Sequence, residues 1–251
     1  MKFPREAAKY IALQRLETQK LGKSIHYTAL GKVAYQLYEK VPLLKQAFSF
    51  YARNIEPALR HKSIIEDYVQ IMEQEFSTIK AHLPKEIGSS VGIGPGVAGL
   101  EVLLSQHYAA LQNPLPNLIL IDKSTIDPIK YGFHETAAAY NSLSLAKNIL
   151  MDNGQPSEKI YLYESEDVAK CAQKFNGQVD LITSLIAWGF HFPVTTYLNF
   201  AKALLTENGQ LIIDVRKETD GLAQLKGAFR TIEIIHEDDK FDRVLATTPL
   251  R

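Results

Sequence analysis

The segment Ser90-Val91-Gly92-Ile93-Gly94-Pro95-Gly96-Val97-Ala98-Gly99 concentrates glycine between an apolar run that reads as a strand and a periodic run that reads as a helix. Without a Cβ, such a turn bends sharply and lets a ligand lie against the backbone. The first amides of the following helix have no partner within the helix and can donate to that ligand. Asp122 ends the next apolar run, NLILID, 23 positions after Gly99. A carboxylate there can accept hydrogen bonds from both hydroxyls of a ribose. Together these residues point to a nucleoside-containing ligand without naming it. A glycine turn and a strand-ending acid also occur where nothing binds.

A second concentration of chemistry lies at Ser184-Leu185-Ile186-Ala187-Trp188-Gly189-Phe190-His191-Phe192-Pro193, read as the loop after the fourth strand. His191 is the residue there whose side chain titrates near neutrality, so it can act as a general base. Trp188 and Phe190 can wall a pocket, and the bland alternative is a packed aromatic loop with a solvated histidine. A third cluster, Tyr131-Gly132-Phe133-His134-Glu135, follows Asp122 in a long connection of the kind that forms lids. His134 is the reserve base, with Tyr131 as a possible acceptor contact. Arg216 and Lys217 follow the fifth strand; they can hold a phosphate or carboxylate, or simply face water.

These residues need a scaffold. From residue 87, short apolar runs alternate with helical patterns: IGSSVGIG, NLILID, KIYLYES, VDLITSLI, GQLIIDV, TIEIIHE and DRVLATT. Seven strands, the first five separated by helices, imply right-handed crossovers and a mostly parallel sheet covered on both faces. The last two are too close for a crossover and should pair antiparallel at an edge. The expected fold is therefore α/β, a seven-stranded Rossmann-like sheet with an antiparallel last strand. Residues 1–86 read as a helical extension. Ala8, Ile11, Ala12 and Leu16 recur at helical spacing, as do Leu30, Val33, Ala34 and Leu37. A third helical run is interrupted at Pro57. A fourth carries Ile64, Tyr68, Ile71 and Phe76, with Ser63 and Glu66 at the spacing of a capping box. Tyr27, Tyr35, Tyr38, Phe48, Phe50, Tyr51 and Tyr68 make this extension rich in aromatics, so it is expected to pack over the acceptor side or build a homodimer interface.

Formal net charge is zero, which gives no global argument for nucleic acid or an anionic membrane. Lys and Arg outnumber Asp and Glu over residues 1–86, and the reverse holds from residue 87. That basic excess is expected to be a solvated surface. Cys171 is the single cysteine, which excludes an intramolecular disulfide, and buried packing is its expected role. No Cys/His spacing suggests structural zinc. The charged start MKFPREAAKYIALQRLE does not read as a signal peptide, and no apolar run suits a membrane span, so a cytoplasmic location is expected.

Over residues 87–251 the chain resembles the class I S-adenosylmethionine-dependent methyltransferases. The resemblance is carried by Gly92-x-Gly94-x-Gly96, Asp122, the third strand with its acids (IYLYESED), VDLITSLIAWGFHFP, the helix leading into LTENGQLIIDV, and the closing strand pair. It implies S-adenosylmethionine as cofactor. Ser90, Gly92, Gly94, Gly96, Asp122 and Ser184 would then hold it, and Glu166 or Asp167 would reach the adenine amino group. Glu166 is favoured because Ile160, Leu162 and Glu164 alternate along the strand before it. The family usually has an acid where this chain has Ser90. The segment after strand four is not the Asn/Asp-Pro-Pro-Tyr/Phe motif of amino-nitrogen methylation, and it lacks the strand-ending acid of metal-dependent catechol-type enzymes. These absences point to metal-independent transfer to a hydroxyl of a small molecule. SLIAWGFHFP with LIIDVRK is similar to methyltransferases associated with bacterial surface polysaccharides, which suggests a sugar-linked acceptor. Gly94-x-Gly96-x-x-Gly99 also matches the dinucleotide fingerprint, so a FAD or NAD oxidoreductase is the main rival. An RNA methyltransferase and a non-catalytic relative are the others.

Overall fold

The computed structural model describes residues 1–14, 55–125 and 141–250. Seven strands form one sheet: β1 (Ser89–Ile93), β2 (Asn117–Asp122), β3 (Ile160–Glu164), β4 (Val179–Ser184), β6 (Leu205–Arg216), β7 (Phe229–Glu237) and β8 (Phe241–Pro249). Their order across the sheet is β3-β2-β1-β4-β6-β8-β7. β1 pairs parallel with both β2 and β4, β2 with β3, and β4 with β6. β8 runs antiparallel to β6 and β7, its neighbours on either side. All five residues of β1 are buried, as a central parallel strand covered on both faces requires. The order reverses direction at β1, between β2 and β4. In open α/β sheets the carboxyl ends of the strands at such a switch point form a ligand crevice.

Among the described residues the helices are α1 (Ala7–Gln14), α2 (Glu56–Ile79), α3 (Gly99–Ala110), α4 (Leu143–Asp152), α5 (Val168–Phe175), α6 (Leu198–Leu204) and α7 (Gly221–Ala228). Alternation along the strands divides the core in two. Val91, Ile93, Ile119, Ile121, Ile182 and Ile213 pack with Cys171 and Phe175 of α5, Ala201 and Leu204 of α6, and Leu225 of α7. On the other face, Leu181, Ile212 and Leu245 pack with Leu100, Leu104 and Tyr108 of α3 and with Phe76 and Ile79 at the end of α2. Cys171 is fully buried, and burial pushes its thiol up to about 12, so it packs as a small apolar group.

The chain divides into two compact units, Lys2–Met72 and Met1 with Glu73–Arg251. The division between these units falls inside α2, whose Phe76 and Ile79 belong to the sheet's core. In the first unit, Ala8, Ile11 and Ala12 of α1 are buried as their spacing required. The Phe3 ring meets Tyr68 edge-on at 5.4 Å. Most of the run read as interrupted at Pro57, up to residue 54, lies outside the described residues, and Pro57 itself falls at the start of a helix. It sits in the first turn of α2, where the missing N–H costs nothing. The irregularity lies at Arg60, and the Ser63 hydroxyl donates to the Arg60 carbonyl inside the helix instead of capping its start. Leu16, the runs carrying Leu30 and Leu37, and the aromatics from Tyr27 to Tyr51 lie outside the described residues.

One further departure concerns the segment read as a loop after β4. Ala187–Phe192 is an eighth strand, β5, which packs against β6 outside the seven-stranded pairing order. Among the described residues, no helix is long and apolar enough to cross a membrane.

Candidate cofactor-binding site

The glycine loop closes over the carboxyl end of β1. The Gly94 amide donates to the Ile121 carbonyl at 2.9 Å, tying the loop to β2. Gly94 and Gly96 both have positive φ, 69° and 57°, where a side chain would be strained. A Cβ on Gly94 would also lie 2.6 Å from the Cβ of Ala187, so the loop and the turn after β4 touch at this point. Ala98, at φ 61°, leads into α3 without a side-chain cap.

Asp122 sits beside this loop, at the end of β2. Its Oδ1 accepts from the Lys123 amide at 2.8 Å, and its Oδ2 accepts from the Asn141 side-chain amide at 2.8 Å and the Gly96 amide at 3.3 Å. Those donors occupy three of roughly four acceptor positions on a carboxylate, and the Gly96 bond is long enough to be exchanged. Burial, and to a small extent the charge of nearby Glu164, raise the Asp122 carboxyl to about 6 against the pull of the three donors. Because a carboxylate only accepts, Asn141 must present nitrogen to Asp122. Its Oδ1 is buried and, among the described residues, has no partner.

Beneath the loop lies a second carboxyl. Glu101, in the first turn of α3, is 2% exposed. A Cβ on Gly92 would overlap its Oε1. The first glycine of the motif is thus required here by a side chain of the same chain. Burial, and then the charge of Asp122, push Glu101 up to about 8, although its own backbone amide favours the charged form. Its Oε2 has no partner among the described residues, and neither does Thr183 Oγ1. Gly92 pairs in register with Thr183, so both positions share one sheet face. Ser90, two residues before Gly92 on the same face, is 1% exposed.

The turn between β4 and β5 is held from below. Ile186 has φ 52°, an uncommon conformation for a β-branched residue. Its amide donates to Asp214 Oδ2 at 2.8 Å. Asp214 is fully buried and paired with Arg243, through Nε to Oδ1 at 2.7 Å and Nη2 to Oδ2 at 2.8 Å. Arg243 also donates to the carboxylate of Glu75 and the hydroxyl of Thr78 in the last turns of α2. Gly189 lies so close to β6 that a Cβ would sit 2.6 Å from the Asp214 carbonyl oxygen.

Several expected contacts are placed differently by this turn. The Ser184 hydroxyl donates to the Ile93 carbonyl at 2.8 Å and accepts from the Trp188 amide at 2.9 Å. That hydroxyl is therefore engaged within the protein. Trp188 has no exposed surface, its indole N–H donates to the Val194 carbonyl at 2.9 Å, and its ring joins the core. It is thus packed as part of the core. Phe190 is 7% exposed and meets Phe241 edge-on at 5.7 Å, with the Arg216 guanidinium 5.2 Å from its ring centroid. Lys217 pairs with Asp242 at 3.3 Å. His191 is partly exposed on β5, its ring 4.8 Å from that of Phe190. Glu166 is exposed in the turn after β3, whereas Asp167 pairs with Lys170 at 2.7 Å. Tyr131 and His134 lie outside the described residues.

Asn141, Glu101, Thr183 and the Asp214–Arg243 pair were not singled out in the sequence. The signal available was Glu101 with Ser105, polar residues four apart among the buried positions of α3. Ser105 is also buried, bonded to Gln155 at 2.7 Å.

No family model matches the chain, and no curated protein matches it. Solved structures match its fold. An O-methyltransferase family protein from Burkholderia thailandensis superposes with a TM-score of 0.50 at 10% identity, over 88% of this chain and 73% of that one. DszA carbon methyltransferase matches with a TM-score of 0.48 at 13% identity, over 87% and 65%. Precorrin-6y C5,15-methyltransferase from Geobacter metallireducens matches with 0.45 at 12%, over 71% and 88%. The strand order, the reversed β8 and the first of these likenesses show the fold: the chain has a Rossmann-like fold of the kind found in class I methyltransferases.

Proposed function

We propose that this chain binds S-adenosylmethionine at the carboxyl ends of β1, β2 and β4 and transfers its methyl group to a hydroxyl of a small molecule without a metal. The observation that carries the choice of ligand is the acidic, acceptor-rich lining of the glycine loop. Glu101, Asp122 and Asn141 present buried oxygen acceptors there. Ribose hydroxyls and an ammonium group supply donors and positive charge to such a lining. The diphosphate of FAD or NAD would bring negative charge beside the Asp122 carboxylate and a second buried carboxyl that offers no positive charge in return, which low local dielectric penalises.

When bound, the cofactor supplies an electrophilic methyl group and its sulfide leaving group. The chain's own task is orientation, exclusion of water and handling of one proton. Asp122 holds the ribose, Gly94 and Gly96 admit the ligand to the backbone, and Glu166 meets the adenine amino group. The turn at Ile186 and Ala187, fixed by Asp214, borders the reacting end. His191 would take the proton of the acceptor hydroxyl as the methyl group is transferred. A sugar-linked hydroxyl is the preferred acceptor class.

Thermal stabilisation of the full chain by S-adenosylhomocysteine, set against NAD and FAD, tests the ligand. A rise in melting temperature with S-adenosylhomocysteine alone is expected, and a rise only with a dinucleotide overturns the reading. For the base, His191→Ala should lower turnover by about 10²–10⁴-fold with cofactor affinity nearly constant. Unchanged turnover removes His191 from the mechanism.

A further inference from the structure

We infer that Glu101 is the carboxylate that meets the cationic amine at the amino-acid end of the bound cofactor, taking the place of the strand acid that Ser90 does not provide. The inference rests on the S-adenosylmethionine reading above. A side chain at position 90 and one overlying Gly92 address the same face of β1, because the two positions are separated by one strand period. In this chain the first has only a hydroxyl, and the second space is filled from α3 by Glu101. An acid has been moved from strand to helix, and the glycine at 92 makes the room for it.

Three further observations support a ligand at this point. Glu101 Oε2 is buried without a partner among the described residues, so α3 holds a carboxyl that its own surroundings do not satisfy. Thr183 Oγ1, in register with Gly92 on the neighbouring strand, is a second buried oxygen without a partner on that face. The neighbouring charge that acts on Glu101 is negative, from Asp122 on β2. An ammonium group answers all three, by donating to unpaired acceptors and by neutralising an acidic lining.

The protonation state follows. With burial and Asp122 raising Glu101 to about 8, the ligand-free carboxyl is mostly protonated at neutral pH. A bound ammonium group favours the charged form, so binding at pH 7 expels a proton. A ligand lacking the amine does not.

Calorimetry on the full chain at pH 7, in two buffers of different ionisation heat, tests this with S-adenosylhomocysteine and with 5′-methylthioadenosine, which lacks the amino-acid end. The wild type is expected to bind S-adenosylhomocysteine with net proton release and 5′-methylthioadenosine without it. Glu101→Gln should weaken S-adenosylhomocysteine by about tenfold or more, abolish the proton release, and leave 5′-methylthioadenosine affinity unchanged. Equal weakening of both ligands, no weakening, or wild-type binding of S-adenosylhomocysteine without proton release overturns the assignment to Glu101. If Glu101→Gln does not fold, the wild-type proton release decides alone. Failure of the wild type to bind either nucleoside overturns the S-adenosylmethionine reading itself, and this inference with it.

Discussion

Two ends of the same sheet bury carboxyl groups in opposite ways. At the β6–β8 side, Asp214 meets Arg243 through two bonds and also accepts the Ile186 amide, while Arg243 goes on to Glu75 and Thr78. Every charge there has a partner from the chain itself. At the β1–β2 end, Glu101 and Asp122 lie near one another with raised pKa values, and Glu101 Oε2 and Asn141 Oδ1 have no partner among the described residues. A buried ion pair that satisfies itself fixes a geometry, in this case a left-handed turn at Ile186. Buried carboxyls left short of donors weaken the empty protein and favour whatever brings donors and positive charge. The first arrangement suits a scaffold, and the second is the lining on which the proposed binding site rests.

The largest effect should come from breaking the satisfied end. Arg243→Met leaves Asp214 buried without its cation and is expected to destabilise the chain by about 3–5 kcal/mol, read by urea denaturation. The double variant Asp214→Leu with Arg243→Met removes both charges and should recover a substantial part of that loss. Equal losses in the single and double variants would mean that packing, not an orphaned charge, sets the cost.

The unsatisfied end should show itself through pH. The folded-state pKa of Glu101, about 8, lies above the ordinary value of 4.5. Below the ordinary value both folded and unfolded chains hold the proton, and Glu101 costs nothing. As pH rises from 4.5 the unfolded chain ionises first, so stability is lost progressively until about 8 and changes no further beyond it. Asp122, raised from 3.8 to about 6, adds a loss of the same sign over its own lower window. The Glu101 contribution is on the order of 2–4 kcal/mol. Melting curves of the ligand-free chain from pH 5 to pH 9 should therefore slope downward, and Glu101→Gln should flatten them and be the more stable protein at pH 9. A wild-type curve that rises over this range contradicts the contrast between the two ends.

Asp122→Ala probes the same end from the ligand's side. Loss of a charged acceptor for the ribose hydroxyls is expected to weaken S-adenosylhomocysteine by roughly 1–3 kcal/mol by calorimetry. Unchanged affinity would detach Asp122 from the ribose.

The two ends also differ in how far they could be read from sequence. The glycine loop, Asp122 and the alternating strands were legible because each is a local pattern. A turn that needs Gly94 and Gly96 at positive φ announces itself in residue type, and parallel strands buried on both faces appear as unbroken apolar runs. Asp214 and Arg243 are 29 positions apart, and Glu75 is 168 from Arg243. No local pattern announces a triad that only antiparallel β8 and the end of α2 bring together. Glu101 was visible as an acid in an apolar helix, but its meaning depends on Gly92 being the residue beneath it. The segment 187–192 read as a loop because aromatics and a glycine follow strand four without a helix between them. It extends as β5 because Gly189 allows close approach to the Asp214 backbone.

The smallest expected effect separates Glu166 from Asp167, the two acids that sequence placed near the adenine. Asp167 lies at the start of α5 without capping it, and its carboxylate pairs with Lys170 one helical turn on. Both side chains of that pair are substantially exposed, at 41% and 72%, where solvent screening leaves an ion pair little influence. Glu166 is exposed in the turn that joins β3 to α5. That turn is tied to the end of β2 by the Ser165 amide, which donates to the Asp122 carbonyl at 2.9 Å. Glu166 is thus one residue from a direct link to the strand end that carries Asp122, the proposed ribose acceptor. A carboxylate accepting from an exposed adenine amino group gains about 0.5–1.5 kcal/mol, so Glu166→Gln should weaken S-adenosylhomocysteine by about two- to tenfold. Asp167→Asn should change affinity by less than about twofold, because Lys170 already engages that carboxylate. The reverse order in calorimetry would assign the adenine to Asp167 and require Lys170 to turn away when the ligand binds.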